Sequence, residues 1–159
     1  MGKKLDVGCG RRPKEGYDVY TDVYEPPWVK ENPEMGKKFV LTPAEDLSQF
    51  KDKEFDFVWC NHVIEHVQDP NKACAELMRV GKAGMIRFPT IQAEILVGRR
   101  DHNWMVFIVN DHRLLFIKKR FKSFYGAPKS TLPNHAGEFV ALQQKPFFWR
   151  DSFKWTVLL

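Results

Sequence analysis

The stretch Leu5-Asp6-Val7-Gly8-Cys9-Gly10, read LDVGCG, decides how the rest of the chain is interpreted. A short apolar strand runs into two glycines spaced one apart, with the carboxylate of Asp6 just upstream. Glycines there let the backbone turn sharply and let a ligand lie against bare main chain. The acid beside them offers a charge to a cation or an ammonium group. Such a stretch is an address for a nucleotide-like cofactor.

Two cofactors compete for the address. A dinucleotide fingerprint needs G-x-G-x-x-G, a following helix and an acid about 20 residues on. Here the third glycine position holds Pro13, and the strand-like run Tyr17-Asp18-Val19-Tyr20-Thr21-Asp22 begins too soon for a full crossover helix. The alternative pattern is D-x-G-x-G, Asp6 to Gly10, with Asp22 closing the next strand. That pattern resembles the class I S-adenosylmethionine-dependent methyltransferases.

A second block strengthens the likeness. Glu54 to Cys60 (EFDFVWC) reads as a buried strand and continues into Asn61-His62-Val63-Ile64-Glu65-His66-Val67-Gln68-Asp69-Pro70. A helix follows, with Asp69 as N-cap and Pro70 in its first turn. Ala73, Leu77 and Val80, flanked by Cys74 and Met78, form its apolar face. Gly81 and Gly84 are expected to end it before the strand Met85-Ile86-Arg87-Phe88-Pro89. The run from Phe55 to Pro89 resembles the strand–helix–strand of the methyltransferase type 11 group. With the first motif, the likeness covers residues 4 to 90.

The resemblance implies a three-layer α/β/α sandwich with a mostly parallel sheet, and S-adenosylmethionine as cofactor. It places the cofactor against Asp6, Gly8, Cys9, Gly10, Asp22, Ala44, Glu45, Asp46 and Asn61. Asp22 would take both ribose hydroxyls, since a carboxylate accepts two hydrogen bonds at once. Pro43-Ala44-Glu45-Asp46-Leu47 matches the family's D-A-E-D-L adenine turn, with Pro43 where the adenine-binding aspartate stands. Arg12 replaces the motif's third glycine; with Arg11 it sits in a basic loop that could meet an anionic group. His62, just past the fourth strand, is the candidate catalytic residue, a base near neutral pH for a hydroxyl or amine acceptor. His66, one turn on, is expected to face the sheet or solvent.

His62 to His66 also fits H-x-x-E-H, a zinc signature. Two histidines four apart on a helix can share a metal, but a third ligand is required. Asp69-Pro70 shortens the segment, and none of Glu76, Glu94 or Glu138 sits in a supporting motif. The expectation is that no metal is bound.

The remaining features set bounds. A chain of 159 residues is one domain by length. No stretch approaches the roughly 20 apolar residues of a membrane span. The start, Met1-Gly2-Lys3-Lys4, carries no secretory core and no myristoylation pattern. Because the first strand begins at once, the chain is expected to be either a minimal version of the family or a truncated one. Three scattered cysteines suggest reduced thiols in a cytoplasmic protein. The net charge of +5 favours an anionic partner without requiring one.

Beyond residue 90 the likeness fades, dividing the domain into a cofactor-binding core (1–90) and a hairpin with an aromatic tail (91–159). Ile91 to Val97 reads as a short helix. Trp104 to Val109 and Arg113 to Lys118, joined by Asn110-Asp111-His112, read as an antiparallel hairpin that finishes the main sheet, buried on both faces. Lys118-Lys119-Arg120-Phe121-Lys122 mixes charge with an aromatic ring, so nucleic acid is possible but not favoured. The acceptor expected is a small molecule, a sugar or a lipid-linked group, since no D/N-P-P-Y signature follows the fourth strand. The rival reading is a non-catalytic protein, binding cofactor or RNA on a degenerate methyltransferase fold. The oligomeric state is not legible.

Overall fold

The computed structural model describes residues 2–97, 99–120 and 145–159. Phe121, Lys122 and Glu138, named above, lie outside the described residues, as does Met1.

Four parallel crossings build the main sheet. β1 (Lys4–Val7) pairs with β2 (Val19–Asp22) on one side and β4 (Phe57–Asn61) on the other; β3 (Phe39–Leu41) extends β2, and β5 (Ala83–Phe88) extends β4. An antiparallel strand, β8 (Lys145–Arg150), closes the β5 edge, giving the order β3-β2-β1-β4-β5-β8. Pro146 can stand in β8 because a proline on an edge strand withholds no ladder donor.

The two faces of this sheet bury different sets. Leu5, Val7, Val58, Cys60, Ile86, Phe88, Phe147 and Trp149 look into the main core. Helix α3 (Pro70–Val80) covers them with Ala73, Cys74, Leu77 and Val80, spaced along one helical stripe. Tyr20 and Cys9 look the other way, packed with Trp28, Phe39, Phe57 and Trp59. The short helices α1 (Trp28–Glu31) and α2 (Pro33–Gly36) lie on that side, Trp28 meeting Tyr20 and Phe39 edge-on. Helices therefore flank a mostly parallel sheet on both faces, as the resemblance implies.

Helix α3 begins as the sequence predicts: the Asp69 carboxylate accepts the N–H groups of Asn71 and Lys72 at 2.9 and 3.3 Å. It stops at Val80, and Gly84 lies inside β5 rather than at a helix end. The glycine is needed there for packing, because a Cβ would stand 2.7 Å from the Trp149 ring. Helix α4 (Ile91–Val97) occupies the predicted range.

The hairpin forms, but elsewhere. β6 (Trp104–Asn110) and β7 (Arg113–Lys118) pair antiparallel and join β9 (Lys154–Leu158) in a separate three-stranded sheet. Only alternate residues are buried, Trp104 and Val106 on β6 and Leu114 and Phe116 on β7. One face packs on the main core, so the hairpin behaves as a half-buried antiparallel layer. The strand that finishes the main sheet comes from the aromatic tail instead. Among the described residues, no helix is long and apolar enough to cross a membrane.

Candidate active site

β1, β2 and β4 all end at the same edge, and the chain turns away from each to leave a cleft of about 370 Å³. Ligands of open α/β sheets collect at this carboxyl edge. The cleft is lined by Asp6, Gly8, Cys9, Arg12, Pro13, Lys14, Glu15, Trp59 and Asn61.

The glycine turn is held by backbone bonds to β2. The N–H groups of Gly8 and Cys9 both donate to the Thr21 carbonyl, at 2.8 and 3.0 Å. Gly8 has φ +67°, and a Cβ there would lie 2.1 Å from a methyl of Val63. Any side chain would thus fail on both backbone geometry and space. Asp22 anchors the far side of the turn. Its Oδ2 accepts the Gly10 N–H at 2.8 Å and its Oδ1 accepts the Val23 N–H at 2.7 Å. Each carboxylate oxygen keeps a second lone pair for a ligand hydroxyl.

Asp6 is 3 % exposed. Burial raises its pKa to about 6, helped by the charge of Asp22 and opposed by the Lys14 N–H, which donates to Oδ2 at 2.7 Å. A carboxyl so placed gains from a bound cation. Cys9 is buried beside both acids; burial first, then those charges, push its thiol up to about 12. It is no nucleophile at neutral pH. Asn61 presents a buried Oδ1 with no hydrogen-bond partner, an acceptor placed at the cleft wall for a ligand donor.

Not every predicted residue joins this group. Ala44 is buried in the core. The Glu45 carboxylate accepts the Gln68 N–H at 2.7 Å, and that of Asp46 accepts the Ser48 N–H at 3.2 Å within its own turn. Neither side chain reaches the cleft lining. His62 follows Asn61 in the left-handed region, at φ +56°, a conformation uncommon for a non-glycine residue. Its ring is one-third exposed, and its Nδ1 lies 3.0 Å from Glu65 Oε1. His66 meets neither sheet nor open solvent alone, because its ring packs edge-on against His102.

Three lining residues went unremarked in the sequence. Trp59 sits two positions before Asn61 and opposite Asp6 in the β1–β4 register; that alternation was the available signal. Lys14 lies 4.6 Å above the Trp59 ring, and Glu15 follows it in the basic loop.

Residues 5–86 match the methyltransferase domain family. The chain belongs to that family. It is 35% identical over 88 residues to an uncharacterized protein of Methanocaldococcus jannaschii, covering 52% of this chain and 40% of that one. It is 34% identical over 128 residues to a ubiquinone biosynthesis O-methyltransferase of Yersinia pestis, covering 71% and 50%. The methyltransferase domain thus spans half the length, or less, of these relatives. Among solved structures, a possible histamine N-methyltransferase of Thermotoga maritima aligns with a TM-score of 0.47 at 23% identity, covering 62% of this chain and 49% of that one.

Proposed function

We propose that this methyltransferase domain binds S-adenosylmethionine in the cleft and transfers its methyl group to a hydroxyl-bearing small-molecule, sugar or lipid-linked acceptor. The observation that carries the reading is the convergence of Asp6, the Gly8–Gly10 turn, Asp22 and the unpartnered Asn61 Oδ1 at one sheet edge. The fit is good in kind: a bare backbone turn at Gly8, an acid that gains from a cation, and a carboxylate with lone pairs to spare.

In this reading Asp6 holds the cofactor's ammonium group and Asp22 its ribose hydroxyls. Arg12 and Lys14, which line the cleft, would meet its carboxylate. The adenine edge falls to the backbone of residues 44–46, because the Glu45 and Asp46 carboxylates are engaged. The bound sulfonium supplies an electrophile with a neutral leaving group, so the protein's task is alignment. Glu65 can only accept from the His62 Nδ1–H when ionised, which leaves the lone pair of His62 on Nε2 to take an acceptor's proton. The O-methyltransferase name of the Yersinia relative supports oxygen as the acceptor atom. We further read the chain as one domain, with 1–90 as cofactor core, in a cytoplasmic setting that suits three free cysteines.

The test is calorimetry with S-adenosylmethionine, its demethylated product and NAD. The first two should bind and NAD should not. Asp22→Ala should weaken binding by about 1–3 kcal/mol, roughly tenfold to a hundredfold. Binding of NAD alone, or an unchanged affinity in Asp22→Ala, would overturn the assignment.

A further inference from the structure

The methyltransferase reading uses one oxygen of Glu65, Oε1, and leaves the other unexplained. Its side chain is 1 % exposed, and Oε1 is bonded to His62, but Oε2 is buried with no hydrogen-bond partner. A buried carboxylate oxygen without a partner is costly, and such groups point to an unplaced ion or ligand. Arg99, whose charge is felt by Glu65, is committed to Asp101 through Nε and Nη2 at 2.9 and 2.8 Å.

Beside the Glu65 carboxylate stand two histidines. One ligand atom from each of Glu65, His66 and His102 lies within 4.8 Å of the others. The cluster is built by backbone, not by chance contact of flexible tips. The N–H groups of Asn103 and Trp104 donate to the Glu65 carbonyl at 2.8 and 3.1 Å, and the Asn103 side chain donates to the His66 carbonyl at 2.6 Å. The Trp104 indole donates to the Val67 carbonyl at 2.8 Å.

The tautomers follow from the partners. His66 Nδ1 lies 3.1 Å from the Asp101 carbonyl, which can only accept, so that nitrogen carries the proton. His102 Nδ1 lies 2.6 Å from Glu94 Oε2 and likewise donates. Both rings are left with the Nε2 lone pair turned away from these partners. An imidazole fixed through Nδ1–H by a carboxylate or a carbonyl is the arrangement that orients histidine toward a metal.

We infer that Glu65, His66 and His102 form a binding site for a divalent transition-metal ion of the zinc class. One carboxylate oxygen and two imidazole nitrogens are the donor set that such ions prefer. In tetrahedral zinc the donor atoms stand about 3.4 Å apart, so the cluster must contract on binding. The His66 ring, 32 % exposed, has room for that shift and marks the entry path. Three protein ligands leave at least one position open. Glu65 would join the ion through Oε2 while keeping His62 on Oε1, setting the metal one residue away from the candidate base. The site departs from the H-x-x-E-H pattern: His62 is not a ligand, and a second histidine comes from His102, 36 positions beyond His66 and outside any local motif.

The test uses the whole chain, untagged and stripped with chelator. It is titrated with Zn²⁺ alone by calorimetry and with Co²⁺ alone by visible absorption. One ion per chain is expected, with the Co²⁺ bands of a low-coordinate site. Glu65→Gln and His66→Ala should weaken Zn²⁺ by more than the roughly 10–100-fold of an outer-partner change, and Glu94→Gln by about that amount. His112→Ala, an exposed residue in the hairpin turn, should bind as the parent does. Nitrogen-15 spectra of the parent should show two histidines shifting on Zn²⁺ addition, a readout that needs no variant to fold. Absence of stoichiometric binding, unshifted histidines, or equal affinity in parent, Glu65→Gln and His66→Ala would overturn the site. None of these readouts involves methyl transfer, so their failure leaves the cofactor assignment standing.

Discussion

Asp6 is held in the folded chain at a cost that only a ligand relieves. Its pKa rises from 3.8 to about 6, chiefly through burial, so between those values the folded state binds more protons than the unfolded one. Stability from this group is therefore largest below about pH 4 and falls as pH rises through about 6. Two pKa units correspond to about 3 kcal/mol at most. Asp6→Asn keeps an acceptor for the Lys14 N–H and removes the buried charge. In urea unfolding at pH 7 without cofactor, the variant should be more stable than the parent by about 2–3 kcal/mol, the gap closing toward pH 4. A gap independent of pH would mean that Asp6 is not the group being desolvated. The same substitution should abolish the proposed grip on the cofactor's ammonium.

Helix α3 shows how local chemistry sets an element in place. Asp69 satisfies two backbone donors that the first turn leaves open, and Pro70 has no N–H to satisfy. Arg79, on the helix's last turn, donates to the Leu47 and Phe50 carbonyls while Glu76 accepts the Leu47 N–H. These bonds tie the helix to residues 47–50 as well as to the sheet. Asp69→Ala should cost about 1 kcal/mol, read as a lower urea midpoint with an unchanged slope. A loss near zero would show that tertiary packing alone holds the first turn.

Across the molecule, the stability of the cleft rests on residues far outside the family match. The Trp149 ring lies over Gly84 and Gly81, and its β8 strand closes the sheet edge opposite β5. Trp149 is 6 % exposed and contacts Phe153, which links the main sheet to the segment leading into β9. Trp149→Ala should destabilise the chain by about 3–5 kcal/mol, the usual cost of emptying a large aromatic site. Calorimetric unfolding would show it as a fall in melting temperature of many degrees. A fall of only a degree or two would mean that β8 is a dispensable edge.

The elements dictated by local chemistry were legible in the residues alone. The strand into LDVGCG, the Asp69–Pro70 helix start, α4 and the hairpin turn each depend on neighbours within a few positions. The identity of the cleft acids followed for the same reason, since Asp6 and Asp22 are tied to adjacent strand ends. What the residues alone did not disclose is which strand pairs with which at long range. The hairpin had the right turn but no local feature saying that it would stack as a second layer rather than extend the sheet. Nor did alternation along β8 say that it would take the vacant edge. Trp59 entered the cleft through cross-strand register, and His102 reached His66 and Glu65 through backbone bonds spanning some three dozen residues. Such contacts are set by the closing of loops between distant segments, and only the folded chain decides them.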